Sequence, residues 1–154
     1  MKLAVLVENT CTRPGLAGEH GLSLYLETRG HRVLFDAGAT DLFEQNARAL
    51  GVALEQVDLA ILSHGHRDHG GGMVRFMELN RKARLYLRPQ ALEPHFSQKT
   101  QGLAQVGVEA DRLPRERMVL TGDLEQIDGE LTLFARVEGR RFWSDSNSNL
   151  MKEE

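Results

Sequence analysis

The sequence has little that would tie it to nucleic acid, to a membrane or to an oxidising compartment. A single cysteine, Cys11, rules out an intrachain disulfide and a cysteine-built zinc site within the chain. No partner for a catalytic thiol accompanies it, so Cys11 reads as a small residue near the end of a first strand. The formal net charge is −3 and no basic stripe is present, which argues against a nucleic-acid partner. The opening MKLAVLVENT carries an apolar run too short to span a bilayer, and Glu8 interrupts it. No signal-peptide pattern, internal repeat or low-complexity segment is found. The expectation is a cytoplasmic protein without a membrane partner.

What is present is an ordinary globular composition, 41% hydrophobic and 27% charged over 154 residues, enough for one domain. Within it lies one unusual stretch, His64-Gly65-His66-Arg67-Asp68-His69, which holds three of the six histidines. Four potential metal ligands fall within these residues.

The surrounding sequence gives this stretch a setting. Leu3 to Val7 reads as a buried strand. Leu22 to Thr28 alternates apolar and polar residues, Arg29-Gly30-His31 is a turn, and Arg32 to Phe35 runs back as the second arm of a hairpin. Thr40 is placed as an N-cap, with Phe43, Ala47 and Leu50 on one helical face and Gly51 as the stop. The apolar run in Val57 to Ser63 has the composition of a buried strand, and the histidines begin at its carboxyl end. Gly70-Gly71-Gly72 follows, then a short helix with Met73, Phe76 and Met77 as core. Arg84 to Leu87 is another strand, and Pro89 to Phe96 is helical or irregular. Residues 97 to 117 read as the least structured part. Beyond them, 117 to 121 and 131 to 137 are expected as strands, with Asp128-Gly129 as a hairpin turn. This alternation predicts an α/β protein with a mixed sheet, a domain over 1–143 and a polar tail over 144–154.

Histidines at i and i+2 in extended chain point the same way, so His64 and His66 can meet on one ion. Asp68 and His69 follow after a turn and can face a second position. Imidazole and carboxylate donors suit Zn²⁺, with Fe or Mn as alternatives. A catalytic zinc needs about three protein ligands, so each ion requires at least one group from elsewhere. His31 reads as a solvated turn residue, and His95 as either a surface residue or a completing ligand. Glu19 and His20 either face an active cleft or hold the backbone. Asp123, Asp128 and Asp145 are further carboxylates, and Phe142 and Trp143 read as core or interface.

The motif His64-x-His66-x-Asp68-His69, entered from Asp58-Leu-Ala-Ile-Leu-Ser, resembles the signature of the metallo-β-lactamase superfamily. Leu34-Phe35-Asp36-Ala37-Gly38 resembles that superfamily's earlier strand-end aspartate motif. Val7-Glu8-Asn9-Thr10 and Glu19-His20-Gly21-Leu22-Ser23 resemble a narrower branch, similar to an archaeal synthase that joins a dihydropterin to a ribofuranosyl-aminobenzene phosphate. The resemblance implies an αββα sandwich with a mono- or dinuclear metal site at its edge. It implies that His64 and His66 bind a first ion, that Asp68 and His69 bind a second, and that Asp36 orients a ligand. It further implies hydrolysis of an ester, amide or phosphoester by metal-bound hydroxide, with Asp68 orienting the nucleophile. The superfamily's later ligands, a third histidine, a bridging aspartate and a final histidine, have no recognisable counterpart here. The expected fold is therefore a truncated sandwich, a mixed sheet with flanking helices and no second half. Two functions remain open: a metal-dependent hydrolase acting on a small molecule, or a non-catalytic, metal-binding, oligomerising half-domain. In either, a homodimer or higher oligomer is expected to cover the bare sheet face.

Overall fold

The apolar runs of the chain assemble into a six-stranded mixed sheet with helices on one side. The structure is a computed structural model that describes residues 1–135 and 150–152, without the side chains of 151 and 152. Phe142, Trp143 and Asp145 lie outside the described residues.

Strands β1 (Lys2–Val7), β2 (Ser23–Glu27) and β3 (Arg32–Phe35) form an antiparallel meander. Helix α1 (Leu42–Leu50) then crosses over to β4 (Leu59–Leu62), which pairs parallel with β3. The short helices α2 (Arg67–Gly70) and α3 (Met73–Leu79) lead to β5 (Arg84–Leu87), again parallel. Two strands, β6 (His95–Lys99) and β7 (Gly102–Gln105), form a hairpin outside the main sheet. The chain returns as β8 (Met118–Leu120), completing the order β1-β2-β3-β4-β5-β8. Strands β9 (Leu124–Gln126) and β10 (Thr132–Phe134) make a second hairpin, and β11 (Leu150–Lys152) pairs with β6.

The two faces of the sheet differ in cover. On one, Leu6, Leu34, Ala60, Leu62, Leu85 and Leu87 are buried against Phe43 and Ala47 of α1 and Met73, Phe76 and Met77 of α3. At about 1.5–3 kcal/mol for each large side chain taken from water, this layer is the main source of stability. On the other face, the register aligns Val5, Leu24, Phe35, Ile61, Tyr86 and Val119 in one row across all six strands. Every member is apolar or aromatic and none is buried. Among the described residues this is half of an αββα sandwich: one helix layer and one sheet, whose inner-face row is half-buried except for the exposed Val5.

Several expectations need correction. The first strand is an edge strand, so only Leu6 and Val7 of it are buried while Leu3 and Val5 stay about half exposed, at 54% and 48%. Helix α1 starts after Asp41, although Thr40 Oγ does accept the Leu42 N–H at 3.2 Å. Gly51 closes the helix as expected, in the left-handed conformation. The supposedly least structured stretch contains the β6–β7 hairpin, and part of the expected tail forms β11.

Candidate metal centre

Two parallel strand ends and the short helix α2 converge at the carboxyl edge of the sheet. Asp36 follows β3, Ser63 and His64 follow β4, and α2 carries Asp68 and His69. This is where an open sheet with crossover helices leaves a crevice.

Asp36 is fully buried and has φ of 58°, in a region that costs most side chains energy but that Asp tolerates. The bend turns its carboxylate under the histidine loop. Oδ1 accepts the Ser63 N–H at 2.8 Å; Oδ2 accepts the Ser63 hydroxyl at 2.7 Å and His69 Nδ1–H at 2.7 Å. Because the Ser63 proton goes to Asp36, the Ser63 oxygen is left to accept from His64 Nδ1, 2.9 Å away. A carboxylate can only accept, so these bonds fix the tautomers. His64 and His69 both carry a proton on Nδ1 and are left with Nε2 for another purpose. Asp36 thus sets the orientation of one imidazole directly and the other through Ser63.

The rings themselves lie together. His64 is 4.7 Å from His66 and 4.2 Å from His69, centroid to centroid. Burial, followed by the positive charges that His69 and His66 would carry, lowers the His64 pKa to about 4. Burial also lowers that of His66, with His95 adding to the effect. His64 is therefore neutral near pH 7, with a lone pair to offer. In His69 burial opposes the charged form, but the Asp36 hydrogen bond and the charges of Asp36 and Asp68 raise the pKa on balance. Asp68 Oδ2 sits 3.6 Å from His69 Nε2 and 3.4 Å from His20 Nε2.

The glycine of the loop before β2 is required by close approach. A Cβ on Gly21, at φ of 141°, would meet the backbone carbonyl of Asp68. That contact carries the Leu22 N–H to Asp68 O bond at 3.2 Å, which braces the helix holding Asp68 and His69.

The remaining expectations sort as follows. Glu19 and His20 both line the cavity beside the cluster, about 720 Å³ in volume. Glu19 also braces the backbone, accepting from Ala39 N, Thr40 N and the Thr40 hydroxyl at 3.0, 3.1 and 2.8 Å. His20 is exposed and held by Asn9 at 3.1 Å. His31 is not a solvated turn residue. Its side chain is 17% exposed, with Nδ1 at 2.6 Å from Asp58 and Nε2 at 2.6 Å from Asp128. Asp128 sits in the β9–β10 turn, as expected, but that turn is tied to the β2–β3 turn by this pair and by Glu130, which accepts from Arg29 N and Gly30 N. His95 lies on β6, not in a helix, and its ring is 5.2 Å from that of His66. Its position was hidden from sequence because the approach depends on the β6–β7 hairpin folding back over Gly65. Asp123 pairs with Arg88. Among the described residues, no three histidine, cysteine or carboxylate side chains stand assembled as a ready cation cage. The donor set nevertheless fits a metal: a neutral His64, His64 and His69 Nδ1 protons committed to protein acceptors, and a buried carboxylate behind them.

Comparison with known proteins agrees with this architecture. Residues 16–139 match the family model of the metallo-beta-lactamase superfamily, and the chain belongs to that superfamily. It is 31% identical over 129 residues to an uncharacterized protein of Methanocaldococcus jannaschii, covering 82% of this chain and 47% of that protein. It is also 31% identical over 85 residues to the 7,8-dihydropterin-6-methyl-4-(beta-D-ribofuranosyl)-aminobenzene-5'-phosphate synthase of the same organism, covering 51% and 29%. The chain thus spans less than half the length of these relatives. Among solved structures, a metal-dependent hydrolase of the beta-lactamase superfamily superposes with a TM-score of 0.76 at 24% identity, over 99% of this chain and 54% of that one. A subclass B3 metallo-beta-lactamase from a soil metagenome superposes with a TM-score of 0.53 at 23% identity, over 77% and 47%. These two likenesses establish the fold. Among the described residues, no helix is long and apolar enough to cross a membrane.

Proposed function

We propose that the chain carries the metal-binding edge of a metal-dependent hydrolase acting on a small anionic ester, a phosphoester before a neutral ester. The observation that carries this reading is the Asp36–Ser63–His64 and Asp36–His69 hydrogen-bond set, which commits both Nδ1 protons and aims both Nε2 atoms elsewhere. His64, His66, Asp68 and His69 would hold one or two divalent cations, zinc by donor type, with iron or manganese also suited. Such a cation supplies Lewis acidity and makes water a competent nucleophile near neutral pH. The chain's own residues do the rest. Asp36 holds the imidazoles in register, Asp68 offers a carboxylate at the cavity wall for orienting a nucleophile, and Arg67 and Lys99 face the same cavity. Among the described residues neither of those two cationic side chains has a hydrogen bond or ion pair. Although Glu19 and Asp68 line the same cavity, these two cationic side chains have no ion-pair partner among the described residues and would favour an anionic phosphoester over a neutral ester.

The test is metal content per chain in the purified protein, followed by turnover of a phosphodiester and a thioester with His66→Ala as control. One or two tightly held ions and loss of turnover in the variant are expected. A folded protein that holds no ion would sink the proposal.

A second reading is favoured by a different observation, the apolar row from Val5 to Val119. In that reading the chain is a non-catalytic, metal-binding half-domain, and a second copy covers that sheet face in a homodimer or higher oligomer. A folded, oligomeric protein without turnover on either substrate would support it.

A further inference from the structure

Histidine 95 lies outside the His64–His69 motif, on a strand that the sequence pattern does not reveal, yet its imidazole is prepared like those of the cluster. Its Nδ1 is 2.6 Å from the backbone carbonyl of Glu93, an atom that can only accept. A proton is therefore on Nδ1, and Nε2 is the ring nitrogen left to serve as a ligand. The ring stands edge-on to His66 with centroids 5.2 Å apart, and His66 stands 4.7 Å from His64. Two imidazoles bound tetrahedrally to one zinc through nitrogens at about 2.1 Å have centroids roughly 5 Å apart. Both observed separations are close to that value.

The backbone is built to bring this ring in. Gly65 stands between the two motif histidines, and a Cβ there would lie 2.6 Å from His95 Cε1. The same Cβ would meet Ala91 O still more closely, so the bare backbone of Gly65 lets both the Ala91 carbonyl and the His95 ring rest on the loop. The hairpin that carries His95 is stitched to the same loop by Arg67 N–H to Val106 O at 2.7 Å and Val108 N–H to Gly65 O at 3.0 Å. His95 O in turn accepts the Val106 N–H at 2.9 Å. The position of His95 relative to His66 is thus set by backbone bonds and not by a free loop.

We propose that His95, through Nε2, is the third protein ligand of the ion held by His64 and His66. The inference rests on the metal-binding reading above and removes its main deficit. Three imidazole nitrogens and one open position would make a catalytic-type zinc site from residues of this chain.

The experiment uses the full chain and Co²⁺ alone as the probe, with affinity measured by competition against a chromophoric chelator and geometry read from the visible d–d absorption. Wild type is expected to bind Co²⁺ with the intense absorption of a four-coordinate site. His95→Gln, which keeps a polar side chain of similar reach, is expected to weaken binding by at least about 100-fold, the upper end of what losing a merely supporting hydrogen bond costs. His95→Cys supplies a thiolate in the same place and is expected to add a thiolate-to-cobalt charge-transfer band in the near ultraviolet. That band arises only from direct ligation, so a structural role for His95 would not produce it. If wild type binds no Co²⁺ while folded, the metal-binding reading fails. If wild type binds but His95→Gln binds equally well and His95→Cys shows no such band, that reading stands and the assignment of His95 is overturned.

Discussion

Asp36 takes the Nδ1 proton of His69 at 2.7 Å from a backbone position with φ of 58°. The pairing joins the end of one strand to the helix after the next, and the whole imidazole arrangement hangs on it. Asn tolerates the same backbone conformation, so Asp36→Asn tests the carboxylate alone. An amide in this place presents a donor to groups that are themselves donors, Ser63 N–H, Ser63 O–H and His69 Nδ1–H. The expected cost is about 1–3 kcal/mol of stability for the polar group left unpaired. Metal affinity is expected to fall about 10–100-fold, measured by chelator competition beside a thermal melt. Unchanged affinity in a folded variant would remove Asp36 from the site.

Arg67 and Lys99 approach the same cavity from two elements, α2 and β6. Replacing either by Gln is expected to raise KM for p-nitrophenyl phosphate about tenfold, the value of one charge-assisted hydrogen bond, and to leave KM for p-nitrophenyl acetate unchanged. Arg81→Gln, on a different surface, serves as the charge control. Equal losses on both esters would show that the two cations do not select the anionic group.

His31 bridges Asp58 and Asp128, and both bridges are complete only when both ring nitrogens carry protons. Its hydrogen bonds to Asp128 and then to Asp58 raise its pKa, against a smaller effect of burial. The Asp128 pKa falls to about 2, first through His31 and then through the Glu130 and Leu131 amides. Glu27, Arg29, Arg32 and Lys82 border the same pocket, and Glu130 faces it from the hairpin. A raised histidine pKa contributes stability that is complete below the ordinary value, about 6.5, and is lost as pH rises through the folded value. A lowered aspartate pKa contributes stability that is present above the ordinary value, about 3.9, and is lost as pH falls towards the folded one. The clamp between the two turns is therefore firmest between about pH 4 and 6.5. Amide exchange of Leu131, corrected for intrinsic rate, is expected to quicken between pH 6 and pH 9 in wild type. In His31→Gln it should show no such step.

If a second copy covers the sheet, the row Val5–Leu24–Phe35–Ile61–Tyr86–Val119 is the surface it would cover. Val5 is 48% exposed in the single chain, so Val5→Lys places a charge on the face without disturbing the core. Sedimentation equilibrium is expected to show a dimer or larger species for wild type and a shift to monomer for the variant. A monomeric wild type would mean that no second copy covers this face.

Much of this site is legible in the sequence because it is local. The buried strand Leu59–Leu62 is a continuous apolar run, the four motif residues follow it, and Asp36 ends another apolar strand. What is not legible depends on distance along the chain. His95 reaches the motif only because the polar segment from His95 to Gln105 folds as a hairpin, and its backbone bonds leave no apolar pattern to read. His31 looks like a turn residue until Asp128, 97 positions later, comes back to it. The first strand has the composition of an interior strand, and only its place at the edge of the sheet leaves Leu3 in solvent.

The backbone stitches between the β6–β7 hairpin and residues 65–67 make the two a single opening unit. A ligand that steadies one would lower the open population of the other. The Val108 amide, bonded to Gly65 O, is therefore a built-in gauge: slower exchange with solvent deuterium on adding a metal ion would report binding at the histidine loop without any substrate or chromophore.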